Sequence, residues 1–164
     1  MSLNIKTLLC AIDLSSHTEH VITAAIEEAR AHDARIQLLH ILPSFDSAMA
    51  VPIVSFMGED RFTQLKNEKK KETIAAIRKK IDELHAGINE KDPKGETGRI
   101  EGIHVYEGDP VVEILNMTNK LHADMLVLGS HGKGTSEHTF VGSVARKVLK
   151  RAKVRVLLVP AVER

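Results

Sequence analysis

The sequence is poor in several residue types that would point to particular chemistry. It has one cysteine, Cys10, among its 164 residues, which excludes an internal disulfide framework and a metal site built from several thiolates. It has no tryptophan, one tyrosine and four phenylalanines. Few rings are therefore available to stack on a flavin, and a flavodoxin-like electron carrier is poorly supported.

The chain also lacks an excess of charge of either sign. Its 23 Lys and Arg residues face 22 Asp and Glu residues, for a net charge of +1. This balance argues against a dedicated DNA-binding or RNA-binding protein, which needs surplus positive charge to neutralise phosphates. The lysine-rich stretch 69–80 is interleaved with acidic residues and is interpreted as a solvated helix face.

Long apolar runs are missing as well. No run approaches the roughly 18 residues that a membrane-spanning helix needs, and Met1 to Thr7 lacks the basic and apolar segments of a signal peptide. With 43% apolar and 27% charged residues, the composition is typical of a globular domain. We therefore expect one domain over residues 1–164, located in the cytoplasm and without a membrane span.

Five short apolar runs have the pattern of β-strands. Four are apolar almost throughout, which is typical of strands covered on both faces; these are Ile5–Ile12, Ile36–Ile41, Met125–Leu128 and Val154–Val159. The fifth run, Ile100–Tyr106, alternates more between apolar and polar residues, which indicates a strand nearer an edge of the sheet.

Amphipathic segments of helix length separate these runs. A long helix is predicted by an apolar stripe at steps of three and four residues, formed by Ile74, Ile77, Ile81, Leu84 and Ile88. Asp109 before Pro110 is typical of a helix start, and a last helix is indicated by Val141, Val144 and Val148. The alternation of strands and helices predicts an α/β fold, with an open parallel sheet of five strands and helices on both faces.

The segment Pro43–Asp60 interrupts this regular pattern. It is long for a connection, and it carries methionine and phenylalanine side chains that look exposed. Two interpretations stay open at this point: a lid or partner contact, or a mobile insertion.

Candidate ligand-binding residues fall where the predicted strands end. Ligands of open parallel sheets bind beyond the carboxyl ends of the strands, where Asp13, Ile41 and Gly129–Gly132 are expected. Gly142 and Ser143 stand where the last helix begins. Glycines allow a close approach of the backbone to a ligand, and the first amides of a helix attract anions. Phosphate binding and a purely structural role for the glycines are both consistent with this spacing.

Two common phosphate-binding motifs fail here. A Walker A loop needs a lysine where Thr135 stands, and the dinucleotide pattern that begins at Gly132 breaks at Glu137. His131 and His138 are a candidate metal-binding pair, but no third ligand clusters with them, so no metal site is expected.

The glycine spacing nevertheless matches a known signature. Gly129, Gly132, nine further residues and the pair Gly142-Ser143 resemble the G-2x-G-9x-G-[S/T] signature of the universal stress protein family. The position of Asp13 and the final Val-Leu-Leu-Val-Pro of residues 156–160 agree with this family. The resemblance covers nearly all of the chain, with residues 43–71 as a variable insertion.

This resemblance implies a Rossmann-like fold of the adenine nucleotide α-hydrolase-like kind, a homodimer, and ATP as the ligand, with Mg²⁺. Asp13 would bind the ribose hydroxyls and Ile41 the adenine. The candidate site residues are Ala11, Ile12, Asp13, Ile41, Leu128, Gly129, Ser130, His131, Gly132, Gly142, Ser143 and Val144. Ala145 stands where ATP-binding relatives often have Ser or Thr, and the missing hydroxyl would weaken binding about tenfold, or ~1–2 kcal/mol.

Asp13 also has a structural interpretation. It could cap the N-terminus of the first helix, a role for which Ser15 and Ser16 compete. An acidic residue beside it would suggest a phosphoacceptor receiver domain, but Asp13 has no such neighbour.

Three functions stay open. The first is a regulatory module of the stress response that binds ATP with little or no turnover. The second is a slow ATPase or self-phosphorylating enzyme, although only Glu137 offers a carboxylate for a metal near the phosphates. The third is a dimeric interaction module that binds no nucleotide. We expect the homodimer to form through the last strand, Val154–Val159, which would otherwise expose an unpaired sheet edge.

Overall fold

A computed structural model describes residues 4–44, 47–88, 96–131 and 141–161 of the chain. Its strands are β1 Thr7–Ala11, β2 Arg35–Leu42, β3 Ile100–Glu107, β4 Met125–Gly129 and β5 Arg155–Val159. Its helices are α1 Thr18–His32, α2 Ser47–Met57, α3 Glu59–Ile88, α4 Pro110–Lys120 and α5 Ser143–Arg151, and a short 3₁₀ helix, Glu96–Arg99, precedes β3.

The five strands form one parallel sheet in the order β3-β2-β1-β4-β5. The chain first builds outward from β1 to β2 and β3, and it then returns to place β4 on the other side of β1. The connections that follow β1 and β4 therefore run in opposite directions, and a crevice opens between them at the carboxyl ends of the strands. The prediction of a five-stranded parallel α/β fold is confirmed.

Helices cover both faces of the sheet and create two apolar layers. On one face, α1 and α3 pack with residues such as Ile22 and Ile77 against Leu8 and Leu38 of the sheet. On the other face, α4 and α5 cover Leu9 and Leu39. The central strand β1 is buried from both sides, which explains why its sequence is apolar without alternation.

The edge strands lie where the sequence pattern places them. The alternating run Ile100–Tyr106 becomes β3 at one edge, and the last apolar run becomes β5 at the other. The side chains of Val156, Leu157 and Leu158 in β5 are half-buried, in contrast with the fully buried side chains of Leu8 and Leu9.

The described part of the segment Pro43–Asp60 is mostly helical, which its sequence pattern does not predict. It contains α2 and the start of α3, with Gly58 between them at φ +87°. The pattern concealed the helix because α2 has no charged residue, contains Pro52 and buries none of its described side chains. An amphipathic stripe is absent when no face is buried, so periodicity gives no signal.

No helix in the described ranges is long and apolar enough to cross a membrane.

Candidate functional site

A cavity of about 490 Å³ opens at the carboxyl ends of β1, β2 and β4. Eleven of the twelve candidate residues line it, and the twelfth, Gly132, lies outside the described residues. The eleven are Ala11, Ile12, Asp13, Ile41, Leu128, Gly129, Ser130, His131, Gly142, Ser143 and Val144. The sheet order explains this convergence, because β1 and β4 are neighbours although more than 100 residues separate them in the chain.

The loop after β1 is held in a defined turn by Asp13. One oxygen of its carboxylate accepts a hydrogen bond from the Ser15 N–H at 3.0 Å, and the Ser15 hydroxyl accepts one from the His17 N–H at 3.2 Å. Leu14, between them, takes the left-handed conformation with φ 58°. Helix α1 begins only at Thr18, so Asp13 stabilises the turn before the helix and is not its N-cap.

A buried histidine fixes the end of β1 against β2. His40 is 8% exposed, and its Nδ1 lies 2.8 Å from the carbonyl oxygen of Ile12. Since a carbonyl can only accept, Nδ1 carries the proton in this contact. The Ile12 N–H in turn donates to the Leu39 carbonyl at 2.8 Å, so the backbone beside Asp13 is anchored to β2.

Ser130, which directly follows β4, makes hydrogen bonds to several parts of the site. Its N–H donates to the Val159 carbonyl at 2.7 Å, and its carbonyl accepts from the Gly142 N–H at 2.6 Å. Its hydroxyl accepts from the Ala161 N–H at 3.2 Å and lies 2.8 Å from Nδ1 of His131. Ser130 is 4% exposed, and these contacts join the end of β4 to the end of β5 and to the start of α5.

The N-terminus of α5 faces the cavity without a side-chain cap. Its N-cap is Gly142, in an extended conformation, and the Arg146 N–H makes a 3.0 Å bond to the Gly142 carbonyl. The amides of Ser143, Val144 and Ala145 come before this bond and have no acceptor within the helix. Because the Gly142 N–H is already donated to Ser130, an anion at this end would meet the amides of residues 143–145 and the Ser143 hydroxyl.

The cavity also has lining residues that the sequence pattern did not single out. Helix α3 contributes Lys69 and the buried Thr73, and α4 contributes Pro110 and Ile114. Lys69 belongs to the stretch 69–80, which is interpreted from its sequence as a solvated helix face. Nothing in a single sequence shows which lysine of this stretch borders a cavity. These helices lie far from the glycine signature in sequence, so only packing brings them to the site.

The described lining of the cavity carries few charged side chains. Among its described lining residues, Asp13 is the only carboxylate and Lys69 the only lysine or arginine. The described part of the chain holds no group of three or more His, Cys, Asp or Glu side chains that could bind a metal ion; His138 of the considered histidine pair lies outside it.

The arrangement defines a class of protein: an open parallel α/β sheet with a cleft at its topological switch point, bordered by a glycine-containing loop and a helix N-terminus. The family model described as "Universal stress protein family" matches residues 4–160. The chain therefore belongs to the universal stress protein family, as its glycine signature predicts.

Individual relatives agree with this membership. The chain is 29% identical over 154 residues to "Universal stress protein in QAH/OAS sulfhydrylase 3'region" of Thermus aquaticus, a match that covers 94% of this chain and 98% of the relative. Two solved structures share the fold. Hypothetical protein MJ0577 is similar with a TM-score of 0.74 and 22% identity, over 98% of this chain and 99% of the other. A universal stress protein in complex with cAMP is similar with a TM-score of 0.56 and 19% identity, over 96% and 98%.

Proposed function

We propose that this protein is a regulatory module of the stress response that binds ATP with Mg²⁺, acts as a homodimer in the cytoplasm and turns over little or no nucleotide. The observation that carries the proposal is the convergence of eleven candidate residues around one cavity at the switch point of the sheet. A volume of about 490 Å³ is within the range of small-molecule and cofactor sites.

The proposed site would offer a chemically suitable partner to each part of a nucleotide. The Asp13 carboxylate suits the ribose diol, because one of its oxygens is held by the Ser15 N–H and fixes its orientation. The backbone of Ile41 would meet adenine, with Ala11 and Ile12 beside it, while Leu128 and Gly129 pack near the base and ribose. The phosphates would lie at Gly132 and at the N-terminus of α5, where Ser143 and Val144 supply amides and a hydroxyl.

Lys69 gives the proposal a cation that the family signature does not include. Its place on the cavity wall would let its ammonium group approach a phosphate from the side of α3. Mg²⁺, when bound with the nucleotide, neutralises phosphate charge. Asp13 is the only carboxylate on the described lining and is engaged in its turn, so we expect the metal to be held mainly by phosphates and water.

The decisive experiment is calorimetric titration of MgATP into the wild type and two matched variants. Asp13→Asn keeps an oxygen that can accept from the Ser15 N–H but removes the charge, and we expect it to weaken binding about tenfold. Asp109→Asn makes the same change in the helix cap of α4, where Oδ1 accepts from the Val112 N–H at 3.0 Å. It should bind ATP like the wild type.

A third variant tests the phosphate end. Gly142→Val places a branched side chain at the N-cap of α5, and its binding of ATP should be lost; circular dichroism must show that the variant is folded. If the folded wild type binds no ATP up to millimolar concentration, the nucleotide proposal fails and the dimeric interaction module is the better description.

Nucleotide choice needs a separate titration, because one structural neighbour is a complex with cAMP. We expect ATP to bind more tightly than ADP, AMP and cAMP, since the amides of α5 and the Lys69 ammonium group would contact the phosphate chain in the proposed mode of binding. Tighter binding of cAMP or AMP would show that contacts to the adenosine monophosphate part contribute more to binding than contacts to the triphosphate.

The proposed lack of turnover follows from the scarcity of catalytic groups. Phosphoryl transfer needs a held metal and a positioned base or nucleophile, and the described lining offers one carboxylate. We expect phosphate release far below the rates of roughly 1–100 s⁻¹ that kinases reach. Release in that range, or stable labelling of the protein by [γ-³²P]ATP, would favour the slow ATPase or self-phosphorylating enzyme.

The homodimer would form through β5, whose half-buried Val156, Leu157 and Leu158 lie at a sheet edge. Light scattering after size exclusion should give twice the mass of 18.1 kDa. Val156→Lys should reduce this mass to that of the monomer, whereas Ile103→Lys, also at a half-buried position but on the opposite edge strand, should leave the dimer intact. A dimer that survives Val156→Lys and dissociates in Ile103→Lys would place the interface on β3.

A further inference from the structure

The charge of this protein is strongly segregated, although its total is nearly balanced. Residues 141–161 carry six Lys and Arg residues and no Asp or Glu. The rest of the chain carries 17 cationic and 22 acidic residues. The net charge of +1 therefore combines a cationic segment with an acidic remainder, and whole-chain composition gives no sign of this division.

The structure concentrates the positive charge on one solvent face. The side chains of Arg146, Lys147, Lys150 and Arg151 are exposed on α5; we name these four residues the α5 cationic surface. They are neighbours at a spacing of four residues, Arg146 with Lys150 and Lys147 with Arg151, so each pair repels. None of the ion pairs found within the described residues involves them. By contrast, Lys79 of α3 pairs with Glu83 four residues later.

An apolar side chain accompanies these cations. Leu149 is 42% exposed on the same helix, whereas Ala145 and Val148 are buried against the sheet. Since the apolar face of α5 is used by the core, the helix cannot insert that face into a bilayer. The segment 141–161 has no aromatic residue, so it offers no ring on which the bases of a single-stranded nucleic acid could stack.

We propose that the α5 cationic surface binds an acidic segment of another protein, with Leu149 contacting an apolar side chain of that segment. A short acidic segment can contact this surface alone, while the field of a long nucleic-acid duplex also meets the acidic remainder of the molecule. Arginine recognises carboxylates through two parallel hydrogen bonds, and two of the four cations are arginines. The proposal does not depend on nucleotide binding, because none of the four cations lines the cavity.

The test is fluorescence anisotropy with a labelled peptide that repeats Glu-Leu-Glu-Glu four times, in 150 mM NaCl and without nucleotide. We expect micromolar binding by the full-length wild type. The double variant Lys147→Glu/Arg151→Glu should bind at least tenfold more weakly, and Leu149→Ser about threefold more weakly. The matched control Lys71→Glu/Arg78→Glu makes the same charge change at exposed positions of α3 and should bind within twofold of the wild type.

Two further probes distinguish the alternatives. A 20-base-pair DNA duplex and vesicles that contain phosphatidylserine are titrated under the same conditions, and we expect both to bind more weakly than the peptide. Tighter binding of the duplex or the vesicles would overturn the choice of an acidic protein segment. If the α5 and α3 double variants lost equal affinity for the peptide, or if the wild type bound no peptide, the proposed binding role of the α5 cationic surface would be wrong.

Discussion

At the scale of single residues, two serines at the candidate site have different tasks. Ser130 is buried, and its backbone and hydroxyl groups bond to Val159, Gly142 and Ala161. Ser143 is exposed at the first position of α5. The sequence places both beside signature glycines and does not separate a structural hydroxyl from one that is open to a ligand.

We therefore expect Ser130→Ala to destabilise the protein by about 1–2 kcal/mol, because the hydroxyl contacts to the Ala161 N–H and to the His131 ring are lost. Ser143→Ala should change the free energy of unfolding by less than about 0.5 kcal/mol, as is usual for exposed positions. Urea denaturation of both variants measures the difference. Equal losses in the two variants would contradict the distinction.

Cys10 supplies a pH dependence of stability. Complete burial raises the pKa of its thiol from 9.0 to about 12. Well below pH 9 the thiol is protonated in both the folded and the unfolded chain. Between pH 9 and 12 the unfolded chain loses this proton while the folded protein keeps most of it, so stability should fall by about 1 kcal/mol per pH unit from this group.

The measurement is urea unfolding at pH 7, 9 and 10 for the wild type and Cys10→Ala. Other groups titrate in both proteins, so the prediction concerns the difference between them. The wild type should lose more stability from pH 9 to pH 10 than the variant, and parallel losses would show that the thiol does not contribute.

At the scale of secondary-structure elements, local sequence signals set the helix boundaries where caps are strong. Asp109 accepts from the Val112 N–H, and Pro110 occupies the first turn of α4, as the sequence predicts. Helix α1 ends at His32, and its C-cap Asp33 takes the left-handed conformation with φ 51°. The Arg99 guanidinium bonds to the Asp33 carboxylate and lowers its pKa. Such a contact across 66 residues gives no local signal.

The cap of α4 can be tested directly. Asp109→Ala should lower the free energy of unfolding by about 1 kcal/mol, because the Val112 N–H loses its acceptor. Asp109→Asn keeps an oxygen acceptor and should retain most of the stability. Thermal unfolding of the wild type and both variants measures these differences. Equal losses of stability in the two variants would contradict the assignment of Asp109 as the N-cap of α4.

At the scale of the whole molecule, the sheet separates two cores that meet only through the strands. Leu8 faces the layer of α1 and α3, and Leu9 faces the layer of α4 and α5. Both are 0% exposed, while Phe56 of α2 is 93% exposed. The contribution of a hydrophobic residue to stability therefore depends on whether it is buried in one of these layers, which composition cannot show.

We expect Leu8→Ala and Leu9→Ala each to cost about 2–5 kcal/mol, since each leaves a cavity in a packed layer. Phe56→Ala should change stability by less than about 0.5 kcal/mol. Chemical denaturation measures all three, and a large loss in Phe56→Ala would show that α2 covers a core.

The sequence by itself determined the strand and helix alternation, the parallel fold, the helix start at Asp109 and the family. These are encoded locally, because burial on two faces gives continuous apolar runs, and caps and glycine spacing act over a few residues. It did not reveal α2, whose side chains are not buried and so leave no periodic stripe.

Only the tertiary structure decided which residues share the cavity and which charges share a surface. Strand order brings Asp13 and Ser130 to one cavity, and helix packing adds Lys69 from α3. The Gly142 N–H donates its hydrogen bond to the Ser130 carbonyl. The acidic remainder and the cationic α5 cancel in the composition, but they occupy separate parts of the fold. Contacts between residues far apart in the chain depend on packing energy summed over the whole molecule, and no local pattern carries that information.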